Sequence, residues 1–225
     1  MSECLVIIPT YNEIENVSLL LHMNGSNGST TFTDSSNAAR TVTAYGNAQI
    51  STAQSKFGGA SGLFDGSGDY IATPSNTAFA FGTGDFTVET FIRFTAFSSV
   101  NVFYDSRIGG SSGNGVALYS SSSGTVSAYS GITAYITCSA LSTNTWYHIE
   151  VSRSSGVMKM FINGTQAGSS ATFTSNLSDG NCVIGKTNEA SSNYFNGNLD
   201  EFRITKGLAR HTSAFTTPTA AFPDS

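Results

Sequence analysis

Charge is scarce in this chain. Only 11% of its 225 residues are charged, ten Lys and Arg against fifteen Asp and Glu, and the net charge is −5. An average soluble domain is about 25% charged. The ten cations form no basic stripe, and neutralising phosphates requires one, so nucleic-acid binding is excluded as a class. Long apolar runs are missing too. Leu5 to Pro9 and the group Val17, Leu19, Leu20 and Leu21 fall far short of the ~18 residues of a membrane-spanning helix. The start does not read as a secretory leader, because Glu3 stands where positive charge belongs and Pro9 breaks the apolar stretch. Cysteine is rare: Cys4, Cys138 and Cys182 make neither a disulfide framework nor a zinc site. Cys138 and Cys182 either meet across neighbouring strands or are two separate buried thiols.

What is plentiful is Ser, Thr and Gly, with 23 Gly and 39% hydrophobic residues. Those residues weaken helices, and the usual helix-surface Glu, Lys and Arg are few, so the chain reads as all-β. From Val17 onward short apolar alternations are punctuated by Gly, Asn, Asp or Ser, the pattern of a sandwich or barrel. In Phe86–Phe94 both faces carry aromatics, which places this strand centrally in its sheet with its outer side partly covered. Trp146–Arg153 and Val157–Asn163 read as a hairpin turning at Ser154, Ser155 and Gly156, with a further turn at Asn163 and Gly164. Further strands are expected at Val17–His22, Thr41–Ala44, Ala48–Ser51, Gly62–Phe64, Tyr70–Thr73, Val100–Ser106, Gly115–Ser120, Thr125–Tyr129, Cys182–Gly185 and Asn198–Thr205. So many strands split into two packed layers, a two-layer antiparallel β-sandwich.

Phe64-Asp65-Gly66-Ser67-Gly68-Asp69-Tyr70-Ile71, Asp85 to Arg93, Trp146-Tyr147-His148-Ile149, Phe161-Ile162-Asn163-Gly164 and Phe195 to Ile204 stand in a telling order. Together they resemble the laminin G-like jelly rolls of the concanavalin A-like lectin and glucanase superfamily, over roughly residues 17–225. The opening Leu19 to Ser29 and the closing Ile204 to Phe215, with Pro218 and Phe222-Pro223-Asp224, look like the version found in tailed-phage virion proteins. Residues 1–16 differ. Leu5-Val6-Ile7-Ile8-Pro9-Thr10-Tyr11-Asn12-Glu13 resembles the first strand and loop of dolichyl-phosphate mannose synthases, but no Asp-x-Asp element or alternating strands and helices follow. Residues 1–16 are therefore read as a junction segment and 17–225 as the jelly roll.

The glucanases of the superfamily cleave sugars with two acids on one strand face. Here Asp200 and Glu201 are adjacent and are expected on opposite faces, and Glu89 and Glu150 lack an acidic neighbour two residues away, leaving only a pairing across strands. The histidines His22, His148 and His211 are dispersed, and no nucleophile elbow surrounds a serine; His148 and Trp146 read as core residues. Asp65 to Asp69 lacks the Gly and Glu of a calcium-binding helix-loop-helix and reads as a Gly-rich hairpin turn. The resemblance implies a structural calcium, with Asn24, Asp34 and Asp200 in the ligand positions. Equally, Asp34 caps its own turn and Asp200 pairs with Arg203 or with backbone. Carbohydrate sites on such folds offer exposed aromatic faces, and Tyr104, Tyr119, Tyr129, Tyr135 and Tyr194 are the candidates.

The expected function is a non-enzymatic module binding a glycan or host-surface ligand, or a structural one, in a phage tail or other virion protein. It would be made in the cytoplasm, work on a virion or extracellular surface, insert in no membrane, and have other virion proteins as partners. The alternative is an enzyme, a glycoside hydrolase of the same superfamily or the remnant of a nucleotide-sugar transferase.

Overall fold

The computed structural model describes residues 15–97, 99–109, 112–188 and 192–224; the transferase-like stretch Leu5–Glu13 and Cys4 lie outside the described residues. The first eight strands are β1 (Val17–Leu21), β2 (Thr43–Tyr45), β3 (Gln49–Ser51), β4 (Ser61–Asp65), β5 (Tyr70–Thr73), β6 (Phe86–Phe94), β7 (Asn101–Asp105) and β8 (Ala117–Ser120). Then come β9 (Thr125–Ser130), β10 (Thr133–Ala140), β11 (Trp146–Ser154), β12 (Val157–Ile162), β13 (Thr165–Gln166), β14 (Ala171–Thr172), β15 (Cys182–Ile184) and β16 (Asn196–Lys206). They make two antiparallel sheets. The first runs β13-β12-β11-β6-β16-β4-β3, with β1 also on β16 and β14 on β12; the second runs β10-β9-β8-β7-β15-β5-β2.

β6 lies between β11 and β16, the position its two apolar faces require. Phe86, Val88, Ile92 and Phe94 enter the core between the sheets, against residues such as Phe103, Leu118, Val126 and Ile184 of the second sheet. Phe91 points the other way and belongs to a smaller apolar layer with Val17, Leu20 and Phe222, flanked by Phe57 and Trp146. Trp146 is thus not in the main core, as its sequence context suggested, but half-buried over the outer face.

The β11–β12 hairpin closes through Ser155 and Gly156, both at positive φ, a two-residue turn whose twist suits a hairpin. Asn163 and Gly164 close β12 to β13 in the same way, with φ 49 and 74. β10 carries no strong sequence signal, because only Ile136 and Cys138 are buried in a strand otherwise of Thr, Ala, Ser and a half-buried Tyr135 at the sheet edge. Asp65 to Asp69 does not close a hairpin: β4 and β5 belong to different sheets, so this turn carries the chain from one layer to the other. Buried Asp69 ties it down, accepting from the backbone N–H groups of Asp65 and Asn47 at 3.0 and 2.7 Å. Cys138 on β10 and Cys182 on β15 are free buried thiols in well-separated strands.

Candidate functional site

The outer face of the first sheet is largely covered. The segment after β16 crosses it: Ser152 Oγ donates to the His211 carbonyl, Lys159 Nζ to that of Thr212, and the Phe215 N–H to that of Gly164. Gly164 is required there twice over, since a Cβ would collide with the Phe215 carbonyl. Further on, the Phe222 N–H donates to Glu201 Oε2 at 2.9 Å and the Arg203 guanidinium sits 3.8 Å from the centre of the Phe222 ring.

A row of charge runs beneath this strap. Glu89 on β6 stands directly opposite Glu150 on β11 and Arg203 on β16. Arg203 reaches Glu89 at 2.8 Å and His148 Nε2 lies 3.2 Å from it. Burial pushes the Glu89 carboxyl up, but Arg203 and His148 outweigh it and hold it well below the usual carboxylate range. Burial also raises Glu150, opposed by a 2.7 Å contact to His211 Nδ1 and reinforced by the charge of Glu89. The acids therefore do pair across strands, and both are buried beneath the strap.

Asp200 and Glu201 also depart from expectation. A bulge in β16 between Asp200 and Arg203, with Glu201 at φ 51, adds one residue and turns both carboxylates to the outer face. Asp200 accepts from the backbone N–H groups of Lys56 and Phe57 at 2.7 and 3.0 Å, while Glu201 takes His22 at 2.8 Å. Burial, with the Glu201 charge adding to it, pushes the Asp200 carboxyl up to about 7.

Of the three residues in the calcium positions, Asp34 stands apart from Asp200 on β16. Asp34 is saturated by donors: the N–H groups of Leu20, Ser36 and Arg40 and the Ser36 hydroxyl, all at 2.8 to 3.0 Å. β1 runs between it and β16, since Leu21 bridges to Asp34 on one side and pairs with Phe202 on the other. Two strand spacings separate Asp34 from β16, about 9–10 Å. Asp200 uses backbone donors rather than Arg203, and Asn24 lies against Gly58. Among the described residues no group of three or more His, Cys, Asp or Glu is placed to hold a metal.

The outer face of the second sheet carries the accessible aromatics. Ala117 faces Tyr129 on one side and Asp105 on the other, Asp105 faces Val183, Val183 faces Ala72, and Ala72 faces Thr43. This row of mostly small side chains crosses six strands, about 24 Å. At one end Tyr119 and Tyr129 stack with centroids 4.1 Å apart. Burial and the neighbouring Tyr129 hydroxyl raise the Tyr119 phenol. At the other end Tyr45, 43% exposed, stacks on Tyr70 at 4.4 Å, and Lys186 Nζ lies 4.5 Å from the Tyr70 ring centre. Tyr194 is half-buried and its phenol adds to the raised value of Tyr70, after burial and Tyr45. Between the stacks Arg107 binds Asp105 with two N–H groups, at 2.9 and 2.8 Å, and donates to the Gly131 carbonyl.

Two of the proposed tyrosines leave the set. Tyr104 is fully buried against Phe202, because a register shift between Val102 and Tyr104 turns it inward beside Phe103. Tyr135 packs edge-on against Phe173. Tyr45 and Tyr70 were missed, although the spacings Thr43/Tyr45 and Tyr70/Ala72 put each on its strand's outer face. No helix among the described residues is long and apolar enough to cross a membrane.

A sequence profile described as the concanavalin A-like lectin/glucanases superfamily matches residues 65–210. No curated protein matches. Among solved structures, one described by the dependence of botulinum neurotoxin type C cell entry on two ganglioside molecules is similar over 89% of this chain and 50% of its own, at TM-score 0.65 and 16% identity. The botulinum neurotoxin DC binding domain in complex with SialylT is similar over 86% and 48%, at 0.61 and 16% identity. The same domain with rat synaptotagmin II is similar over 88% and 50%, at 0.64 and 17% identity. The chain thus spans about half the length of these structures, and the likeness is one of fold. With the two-layer sandwich and the profile in agreement over most of its length, the chain belongs to the concanavalin A-like lectin/glucanase superfamily.

Proposed function

We propose that the chain is a non-catalytic module binding a glycan or another surface ligand at the tyrosines on the outer face of its second sheet. The observation that carries this reading is the two tyrosine stacks on this face, Tyr119 on Tyr129 and Tyr45 on Tyr70, the second with Lys186 against it. A sugar ring presents an apolar face ringed by hydroxyls, and aromatic faces beside hydrogen-bonding groups recognise it. The ligands named for the similar neurotoxin domains, gangliosides, SialylT and a synaptotagmin, are of the classes such a face suits. Burial of Glu89 and Glu150 argues against hydrolysis. The narrower reading, a phage tail or other virion protein meeting a host-surface glycan and other virion proteins, rests on the resemblance at Leu19–Ser29 and Ile204–Asp224. Calcium is a separate proposal: a melting temperature sensitive to chelator would support it, while the donors around Asp34 favour the turn-capping role. A glycan array probed with the full chain tests the main reading. Retention lost on substituting Tyr119 and Tyr45 supports it, and release of sugar from any polysaccharide overturns it in favour of an enzyme.

A further inference from the structure

We propose that a cleft between the β11–β12 hairpin and the C-terminal strap binds a sulfate or phosphate group. The cleft, of about 310 Å³, is lined by Ser152, Ser154, Val157, Lys159, His211 and Thr212. It lies on the opposite side of the sandwich from the tyrosines, so it stands or falls separately from the glycan reading.

Its shape follows from the hairpin register. Ser152 faces Lys159 and Ser154 faces Val157, which brings the Ser154 hydroxyl, an ammonium and an apolar wall to one end of one sheet face, while the Ser152 hydroxyl is spent on the His211 carbonyl. The strap supplies the rest. His211 is fixed on both sides: Nδ1 meets buried Glu150 Oε2 at 2.7 Å, and the ring lies flat on Phe215, centroids 3.5 Å apart. The ring's remaining nitrogen is Nε2, on a side chain 32% exposed. Lys159 Nζ gives one N–H to the Thr212 carbonyl at 2.6 Å and keeps two more. The Ser154 hydroxyl takes no hydrogen-bond partner among the described residues.

The cleft's own lining carries an ammonium and an imidazole and no carboxylate, although the chain as a whole is acidic. Around it Glu89 is paired with Arg203 and Arg210, Glu150 with His211, and Asp85 accepts from the Ser155 N–H. Charged donors converging on oxygens are the strong class of hydrogen bond, and an oxyanion accepts several at once. Val157, 39% exposed, leaves an apolar side for whatever carries the group.

Imidazole NMR of the full chain tests this, with inorganic sulfate and inorganic phosphate titrated at constant ionic strength against chloride. The expected result is a saturable shift of the His211 resonances with at least one of the two oxyanions, none with chloride, and an apparent Kd at least tenfold weaker in Lys159→Gln. Ser154→Ala, which removes no internal hydrogen bond, should weaken it severalfold and guards against a folding defect in the lysine variant. Shifts that match those of chloride, or that are unchanged in both variants, overturn the proposal.

Discussion

His22 and Glu201 meet at 2.8 Å across 179 residues of sequence, joining the end of β1 to the bulge in β16. Asp224 reaches the other ring nitrogen at 2.8 Å, so one imidazole ties the first strand, the last strand and the end of the strap together.

This contact makes stability depend on pH. The Glu201 hydrogen bond, opposed by burial and helped by Asp224, raises the His22 pKa from 6.5 to about 9. A folded-state value above the unfolded one means that the contribution is complete below pH 6.5 and is lost as pH rises through 9. Because Asp224 is exposed, screening reduces it to about 1–2 kcal/mol. Melting temperature should fall between pH 6.5 and 9, and His22→Gln should flatten that part of the profile.

Asp200 works in the same direction by another route. Its carboxyl is raised from 3.8 to about 7, so the benefit of keeping it neutral is complete below pH 3.8 and lost as pH rises through 7. Asp200→Asn keeps an oxygen for the Lys56 and Phe57 amides and removes the buried charge. It should be near neutral at pH 4 and stabilising at pH 8, on the order of 2 kcal/mol. A variant less stable than the wild type at pH 8, with calcium stabilising only the wild type, would contradict this.

The sequence was most legible where parity held. In β6 and in the β11–β12 hairpin, apolar residues at every second position face the core, and the Ser-Gly and Asn-Gly turns mark their own ends. It failed at two bulges. The register shift in β7 buried Tyr104, and that in β16 brought Asp200 and Glu201 to one face, because an extra residue reverses every alternation beyond it. The cross-strand acids Glu89 and Glu150, the strap above them and Tyr45 on Tyr70 arise from contacts distant in sequence, which no local pattern encodes.

Asp34 holds the chain after β1 in place by four hydrogen bonds, one of them to the Leu20 amide. Removing its carboxylate leaves buried N–H groups unpaired, at about 1–3 kcal/mol for each one that water does not reach. Asp34→Ala should lower stability by about 2–4 kcal/mol in chemical denaturation, equally with and without chelator. A loss seen only when calcium is present would assign Asp34 to the metal.

The strap itself can be loosened from its far end. Phe222 packs on Phe91 and under Arg203, and truncating a buried phenylalanine costs about 3–5 kcal/mol. Phe222→Ala should expose Trp146, the chain's one tryptophan, to solvent quenchers, because Trp146 flanks the same apolar layer. Unchanged quenching would place the strap's hold elsewhere.

The most direct test of the account is binding of the full chain to immobilised glycans, with Tyr119→Ala and Tyr45→Ala compared at one pH and salt concentration. Removing one stacking face should weaken binding about tenfold, roughly 1.4 kcal/mol, while Trp146 fluorescence on the opposite side of the sandwich stays unchanged. Glycan binding indifferent to both substitutions, or no glycan retained by a chain whose fold is intact, would contradict it.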